Sequence, residues 1–270
     1  MKSRFPRALA ALLLALPAFS AAAGVKLATS YSFSQTDFEP ATGNQTETDS
    51  ETTAISASYK LGKSFTIAAN YSHGNSDTRG TNNSTTSSST TDLLGLTMTW
   101  RVARPLSLFA GYTYGQIDAS SVVTPGSVFF DNEIDLGVAV AGVSLFAPIS
   151  RRAFAGITGV GAYASTDVDD YLLQVGLGTR PGRKSSTTTL SVVPTIGYRY
   201  EKATLSMSYS HGFKNRAGGS EPDRSSGKLK FGAKFKLGRE ASLGLNFSTA
   251  VAKKATETNG VAVKFGYAFK

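Results

Sequence analysis

The chain of 270 residues has no cysteine, two histidines and one tryptophan. Without thiols there is no disulfide framework, no thiol nucleophile and no Cys-based metal site, which suits an exported bacterial protein that does without disulfides. Long apolar runs are also missing. After residue 23 no stretch approaches the ~20 apolar residues that a membrane-crossing helix needs. A chain of this kind enters a membrane only as strands closed on themselves, because in lipid every backbone N–H and C=O must find a partner within the protein. Acids are in short supply, with 19 Asp and Glu against 28 Lys and Arg. The bases stand singly between apolar residues and are not gathered on a helix or a flexible arm, so the excess does not read as a nucleic-acid surface. The acids Asp167, Asp169 and Asp170 lack the further ligand spacing of a calcium loop. No metal or cofactor is expected.

What is present begins with a targeting segment. Lys2, Arg4 and Arg7 precede the apolar run Ala8 to Phe19, and Ala21, Ala22 and Ala23 offer a small-residue cleavage site before Gly24. Residues 1–23 are read as a secretory signal, too short in its apolar part to span a bilayer. The mature domain is then 24–270. Three of the 28 bases lie in the signal, which leaves 25 against 19 acids, a balance of +6.

From Val25 onward the dominant pattern is alternation with period two. It is clearest in the last segment, where Val261, Val263, Phe265, Tyr267 and Phe269 alternate with Ala262, Lys264, Gly266 and Ala268. Similar segments recur along the chain, for example Val25–Phe33, Leu94–Val102, Ile134–Phe146 and Leu229–Leu237. About twelve strands are expected. Their connections alternate in length. Short turns fall near residues 62, 103, 150, 201 and 239; long polar segments fall at 39–52, 74–92, 118–133, 167–187, 214–227 and 253–259. The Ser/Thr/Asn-rich segment 74–92 is expected to be a mobile loop. The expected fold is all-β, an antiparallel up-and-down transmembrane barrel of about 12 strands. Both ends of the barrel belong on one side, so the number is even, and a strand at Tyr171–Val175 would make the count 14.

Four short turns share one frame: aromatic, base, apolar, any residue, base. It reads Tyr59-Lys60-Leu61-Gly62-Lys63, Trp100-Arg101-Val102-Ala103-Arg104, Tyr198-Arg199-Tyr200-Glu201-Lys202 and Phe235-Lys236-Leu237-Gly238-Arg239. Tyr59, Trp100, Tyr198, Phe235, Tyr267 and Phe269 are expected at the membrane interface, where an apolar ring and a polar edge are both accommodated. The final segment resembles the C-terminal insertion signal of bacterial outer-membrane β-barrels, with Lys270 following the aromatic that usually comes last. The resemblance implies location in the outer membrane, contact with its lipid and lipopolysaccharide, and insertion by the barrel-assembly machinery through the last strand. The strand pattern is also similar to the roughly twelve-stranded translocator barrel of autotransporters. No passenger domain or plugging helix is evident, so passenger secretion is not expected.

If the greasy face meets lipid, the alternate residues line the bore. Most are Ser, Thr, Gly or Ala. The exceptions are cationic: Lys228, Lys230, Lys234 and Lys236 on one strand, Lys26 and Lys264 on the first and last, and Lys60, Arg101 and Arg199 near the short turns. Glu133 and Asp135 are the acids expected to face inward. A lumen of this lining favours passive passage of small polar or anionic solutes. The alternative is a non-conducting surface barrel whose loops bind a partner. A third reading is a lipid hydrolase, because phospholipase and lipid A deacylase barrels use a His and a Ser on the lipid-facing surface. Here His73 with Ser76, or His211, would have to serve. A His needs a nucleophile and an orienting acid beside it. The same Tyr-Ser-His-Gly frame at 71–74 and 209–212 reads better as a repeated interface feature, and no enzymatic activity is expected.

Overall fold

The computed structural model describes residues 24–38, 45–80, 85–123, 128–169, 171–172, 179–180, 182–217, 226–251 and 256–269. The signal expected at 1–23 lies outside the described residues, as do Asp170 and Lys270.

The strands are β1 (Val25–Phe38), β2 (Thr46–Leu61), β3 (Phe65–Gly80), β4 (Thr85–Arg101), β5 (Leu106–Val123), β6 (Val128–Pro148), β7 (Ala153–Val168), β8 (Tyr171–Leu172), β9 (Thr179–Arg180), β10 (Arg183–Arg199), β11 (Ala203–Ala217), β12 (Ser226–Lys236), β13 (Ala241–Ala250) and β14 (Thr256–Ala268). Twelve of them close into one barrel, each paired with its sequence neighbour, and β1 seals the ring against β14. Only β8 and β9 stay out of the wall, forming a two-residue ladder, Tyr171 with Arg180 and Leu172 with Thr179. β8 and β9 are therefore not two more staves, and the barrel has twelve strands.

Pairing runs without a shift along most of the wall. An irregularity falls between Leu190 and Ser191, where β11 has one residue more than β10. At the short-turn end the strands are tied by backbone bonds such as Tyr200 N to Ala203 O (2.7 Å) and Leu237 N to Ala241 O (2.9 Å). Gly62 and Gly238 take φ of 65° and 105° in two of these turns, a region that suits a residue without a Cβ. At the other end the strands run on well past the expected limits. The Ser/Thr/Asn-rich segment is not a free loop, since Ser72 to Arg79 pair residue by residue with Leu93 to Thr86. Likewise 118–123 pair with 133–128. Ser and Thr are good strand-surface residues when neighbouring hydroxyls bond to one another, as Thr48 does with Thr78 (2.8 Å) and Ser88 with Ser120 (2.9 Å). Low hydrophobicity argued against a packed core there, but a wall extended into water needs only backbone pairing.

The apolar face is outside. Leu96 is 55% exposed, Val261 53%, Ile196 52% and Trp100 43%, and Val25 is the buried hydrophobic residue among those described. A water-soluble sandwich would bury such side chains between its sheets; this barrel turns them outward, as a lipid-facing surface requires. At the short-turn end of the band, Phe65 stacks on Trp100 with centroids 5.8 Å apart, Tyr198 meets Tyr200 at 4.8 Å and Tyr267 meets Phe269 at 4.9 Å. All six expected interface aromatics share this outward face, Tyr59 by register with Ile67 and Phe235 with Leu243. At the opposite end one ladder row turns polar: Thr53, His73, Asp92, Gln116, Asp135, Asp167 and Lys184 follow one another across β2 to β10. Just below it Tyr71 donates to Asp92, and Tyr114 to Asp135 at 2.7 Å. The phenols thus hang between hydrocarbon and water.

A charge placed mid-band should be costly and its lumen-facing neighbour should not. Leu96→Arg is expected to lower stability by about 2–4 kcal/mol in urea unfolding from lipid vesicles, against less than about 1 kcal/mol for Thr97→Lys.

Candidate functional site

One cavity fixes which side chains face the bore. A space of about 750 Å³ at the short-turn end is bordered by Lys26 and Ala28 of β1, Ser56 and Ser58 of β2, Phe154 of β7, Thr195 of β10, Thr204 of β11, Lys234 and Lys236 of β12, Asn246 of β13 and Lys264 of β14. Strands so widely spaced around a closed ring share a cavity only through its interior. Alternation then carries the assignment along each strand.

By that register all the expected cations face inward. Lys228, Lys230, Lys234 and Lys236 stand opposite Ala250, Ser248, Gly244 and Ser242 of β13. Lys264 stands opposite Gly244 and Ser30, and Lys26 opposite Ser58. Lys60 and Arg101 face Thr66 and Ser107. Arg199 reaches over the inward Phe154, its guanidinium carbon 4.9 Å from the ring centroid. These residues are therefore on one continuous surface. Small neighbours, Gly244 above all, leave the ammonium groups room to extend into water.

The acids do the opposite, and here one expectation is corrected. Glu133 and Asp135 do not face the bore. They share a ladder with the outward Tyr114, and Gln116 donates to Glu133 at 2.7 Å on the same outer face. The reason is that 134–140 is apolar on alternate residues in the inward register, which sends the flanking acids out. Asp37, Glu47, Asp49, Glu51, Asp77, Asp92, Asp118, Asp131 and Asp167 also occupy outward positions. These acids lie on strands, not in loops. Among the described strand residues, no carboxylate stands at a lumen-facing position. The His73–Asp92 hydrogen bond (3.0 Å) and the Lys184–Asp167 ion pair (2.7 Å) both lie outside the bore. Asp167 raises the Lys184 pKa through that contact at the exposed end of β10.

The composition of the far wall was missed. Phe109, Phe146 and Phe154 point inward from β5, β6 and β7, followed along β6 by Val140, Val138 and Leu136. Each ring lies across a glycine of the next strand. A Cβ on Gly142 would come 2.3 Å from Phe109, on Gly156 2.2 Å from Phe146 and on Gly197 2.2 Å from Phe154. The spacing of Gly against Phe carries this signal, but it is visible only once the register is known. Elsewhere the lining is hydroxylic, with Ser50–Ser76 at 2.9 Å and Thr36–Thr258 at 3.1 Å.

The histidines do not assemble a nucleophilic site with the expected serine. Ser76 is bonded to Ser50 inside, whereas His73 lies outside against Asp92. His211 is also outward, packed edge-on against Phe213 at 4.7 Å and 3.3 Å from the Tyr209 hydroxyl. No cluster of three or more metal-ligating side chains occurs among the described residues.

If Gly156 is a seat for Phe146, the two must be coupled. Gly156→Val should destabilise the barrel by about 1–3 kcal/mol, and adding Phe146→Ala should recover part of that loss in a double-mutant unfolding cycle. Strict additivity would mean the ring and the glycine are independent.

No protein-family model matches the chain and no curated protein matches it. Solved structures do. The translocator domain of the autotransporter NalP from Neisseria meningitidis is similar with a TM-score of 0.78 at 16% identity, covering 98% of this chain and 96% of that one. The β domain of the Bordetella autotransporter Brka follows with 0.73 at 12% identity, covering 92% and 100%. An outer-membrane channel from Pseudomonas putida gives 0.59 at 9% identity, covering 92% and 96%. The shared property is the architecture: the chain has the fold of outer-membrane β-barrels, a closed ring of twelve antiparallel strands matching the translocator domains of autotransporters.

Proposed function

We propose that the protein is an outer-membrane channel through which small polar or anionic solutes pass passively. The observation that carries this reading is the sorting of charge across the wall. Lysine and arginine stand inward on β1, β2, β4, β10, β12 and β14, and the described strands send their carboxylates outward. A braced or structural lumen would pair its bases with acids, as buried charges otherwise incur a large desolvation penalty. Here none of the nine bases is ion-paired among the described residues, which is tolerable only if water and mobile anions solvate them. Twelve strands enclose a bore wider than the side-chain-filled interior of eight and narrower than the open channel of sixteen. A small solute fits it and a folded protein does not. A field of one sign in a low-dielectric cylinder raises the local concentration of anions. The expected surroundings are outer-membrane lipid and lipopolysaccharide, with insertion by the barrel-assembly machinery through β14.

Reconstituted in a planar bilayer, the protein should give single-channel steps with a reversal potential favouring chloride over potassium. Changing Lys228, Lys230, Lys234 and Lys236 together to Gln should move that potential toward zero. The wild-type preference should weaken as salt rises and the Debye length shrinks from about 10 Å at 0.1 M to about 3 Å at 1 M. Absence of steps overturns the reading; an unchanged potential in the variant removes these lysines from the path.

A further inference from the structure

The bore has two unlike walls, and their arrangement narrows the class of solute. This inference rests on the channel reading above and goes further by naming what the channel takes. In the ring order β1-β2-β3-β4-β5-β6-β7-β10-β11-β12-β13-β14, strand β6 stands diametrically opposite β14, and β7 opposite β1. Phe146 and Phe154 therefore face Lys264 and Lys26 across the bore, with Phe109 beside them on β5, opposite β13. Phe154 and the two lysines border the same cavity, which directly shows the two chemistries meeting. Each ring reaches over the neighbouring strand at Gly142, Gly156 or Gly197, where the missing Cβ leaves it room against the wall, and Arg199 lies over the Phe154 ring.

A wall like this has a drawback in a channel for inorganic ions. An apolar lining raises the barrier to a hydrated ion and gains nothing from chloride. It does gain from a solute that carries its own apolar surface, at the usual ~25 cal/mol per Å² removed from water. The opposite wall holds a negative head group by Coulomb attraction and by N–H donation from lysine.

We propose that the lumen is built for amphipathic organic anions: a carboxylate or similar acid head carried on an aromatic or aliphatic body. The head travels along the lysines of β12, β14 and β1 while the body slides over the phenylalanines of β5 to β7. Binding across the bore is shallow and divided between two surfaces, so the solute is oriented and still released.

Benzoate and acetate are suitable probes, since both carry one carboxylate and differ in the apolar body. The full-length chain is reconstituted in planar bilayers and first tested in KCl. Chloride is then replaced on one side by either organic anion and the permeability ratio read from the reversal potential. Benzoate is expected to exceed acetate by roughly fivefold or more beyond the ratio of their mobilities in bulk water, the gain that a modest ring-on-wall contact supplies. In Phe109→Ser/Phe146→Ser that excess should disappear while the chloride steps remain. A benzoate-to-acetate ratio at or below the bulk mobility ratio in the wild type overturns the proposal, and this comparison stands even if the double variant does not insert. An excess that survives the double substitution overturns it as well. Absence of any step in KCl is a different failure: it removes the channel reading and this inference with it. Chloride steps without benzoate preference remove only the inference.

Discussion

Everything in this molecule depends on the requirement that no wall strand be left with unpaired backbone groups in lipid. The seam between β1 and β14 satisfies it, with thirteen register pairs from Lys26–Ala268 to Phe38–Thr256. Once the ring is shut, each strand has only two faces to offer, and they lie in opposite media. The alternation of side chains stops being a packing preference and becomes a partition between hydrocarbon and water. A slip of one residue would carry Lys234 into lipid and Phe235 into the bore, so register is held from both sides at once.

The same partition explains how charge is distributed. Above the apolar band both faces meet water, and nothing in the backbone decides where a carboxylate goes. Yet the described acids on the strands lie outside and the lysines of β12 and β14 lie within. Among the described residues the inward bases form no ion pair, and the carboxylate bordering their cavity is Glu240, in the turn between β12 and β13.

Much of the fold was legible in the sequence because it is written with period two. The strand number, the outward aromatics at Tyr59, Trp100 and Phe235 and the inward lysines all follow from alternation anchored at a repeated turn. Legibility failed where alternation fails. Residues 136–143 carry no polar side chain on either face, so the inward Leu136, Val138 and Val140 are indistinguishable by pattern from lipid-facing residues, and the expectation that Glu133 and Asp135 face inward falls on the wrong side. The length of β3 and β4 was missed for a different reason. Segment 74–92 has the composition of an unstructured loop, and what makes its described part a wall is backbone pairing between β3 and β4, which composition does not report. Phe109, Phe146 and Phe154 lean on glycines that belong to other strands, which no local pattern reports.

The length of β6 has its own consequence. At 21 residues, roughly 3.3 Å per residue and a tilt near 40°, it climbs on the order of 50 Å, about double the height of a barrel's apolar band. The wall is therefore raised on one side only: by the same arithmetic β12 and β13, at 11 and 10 residues, climb about 25–28 Å and end near the top of the band. The rim is oblique, tall over β3 to β7 and low over β12 and β13, so the lysine-bearing strand β12 lies at the low side of the mouth.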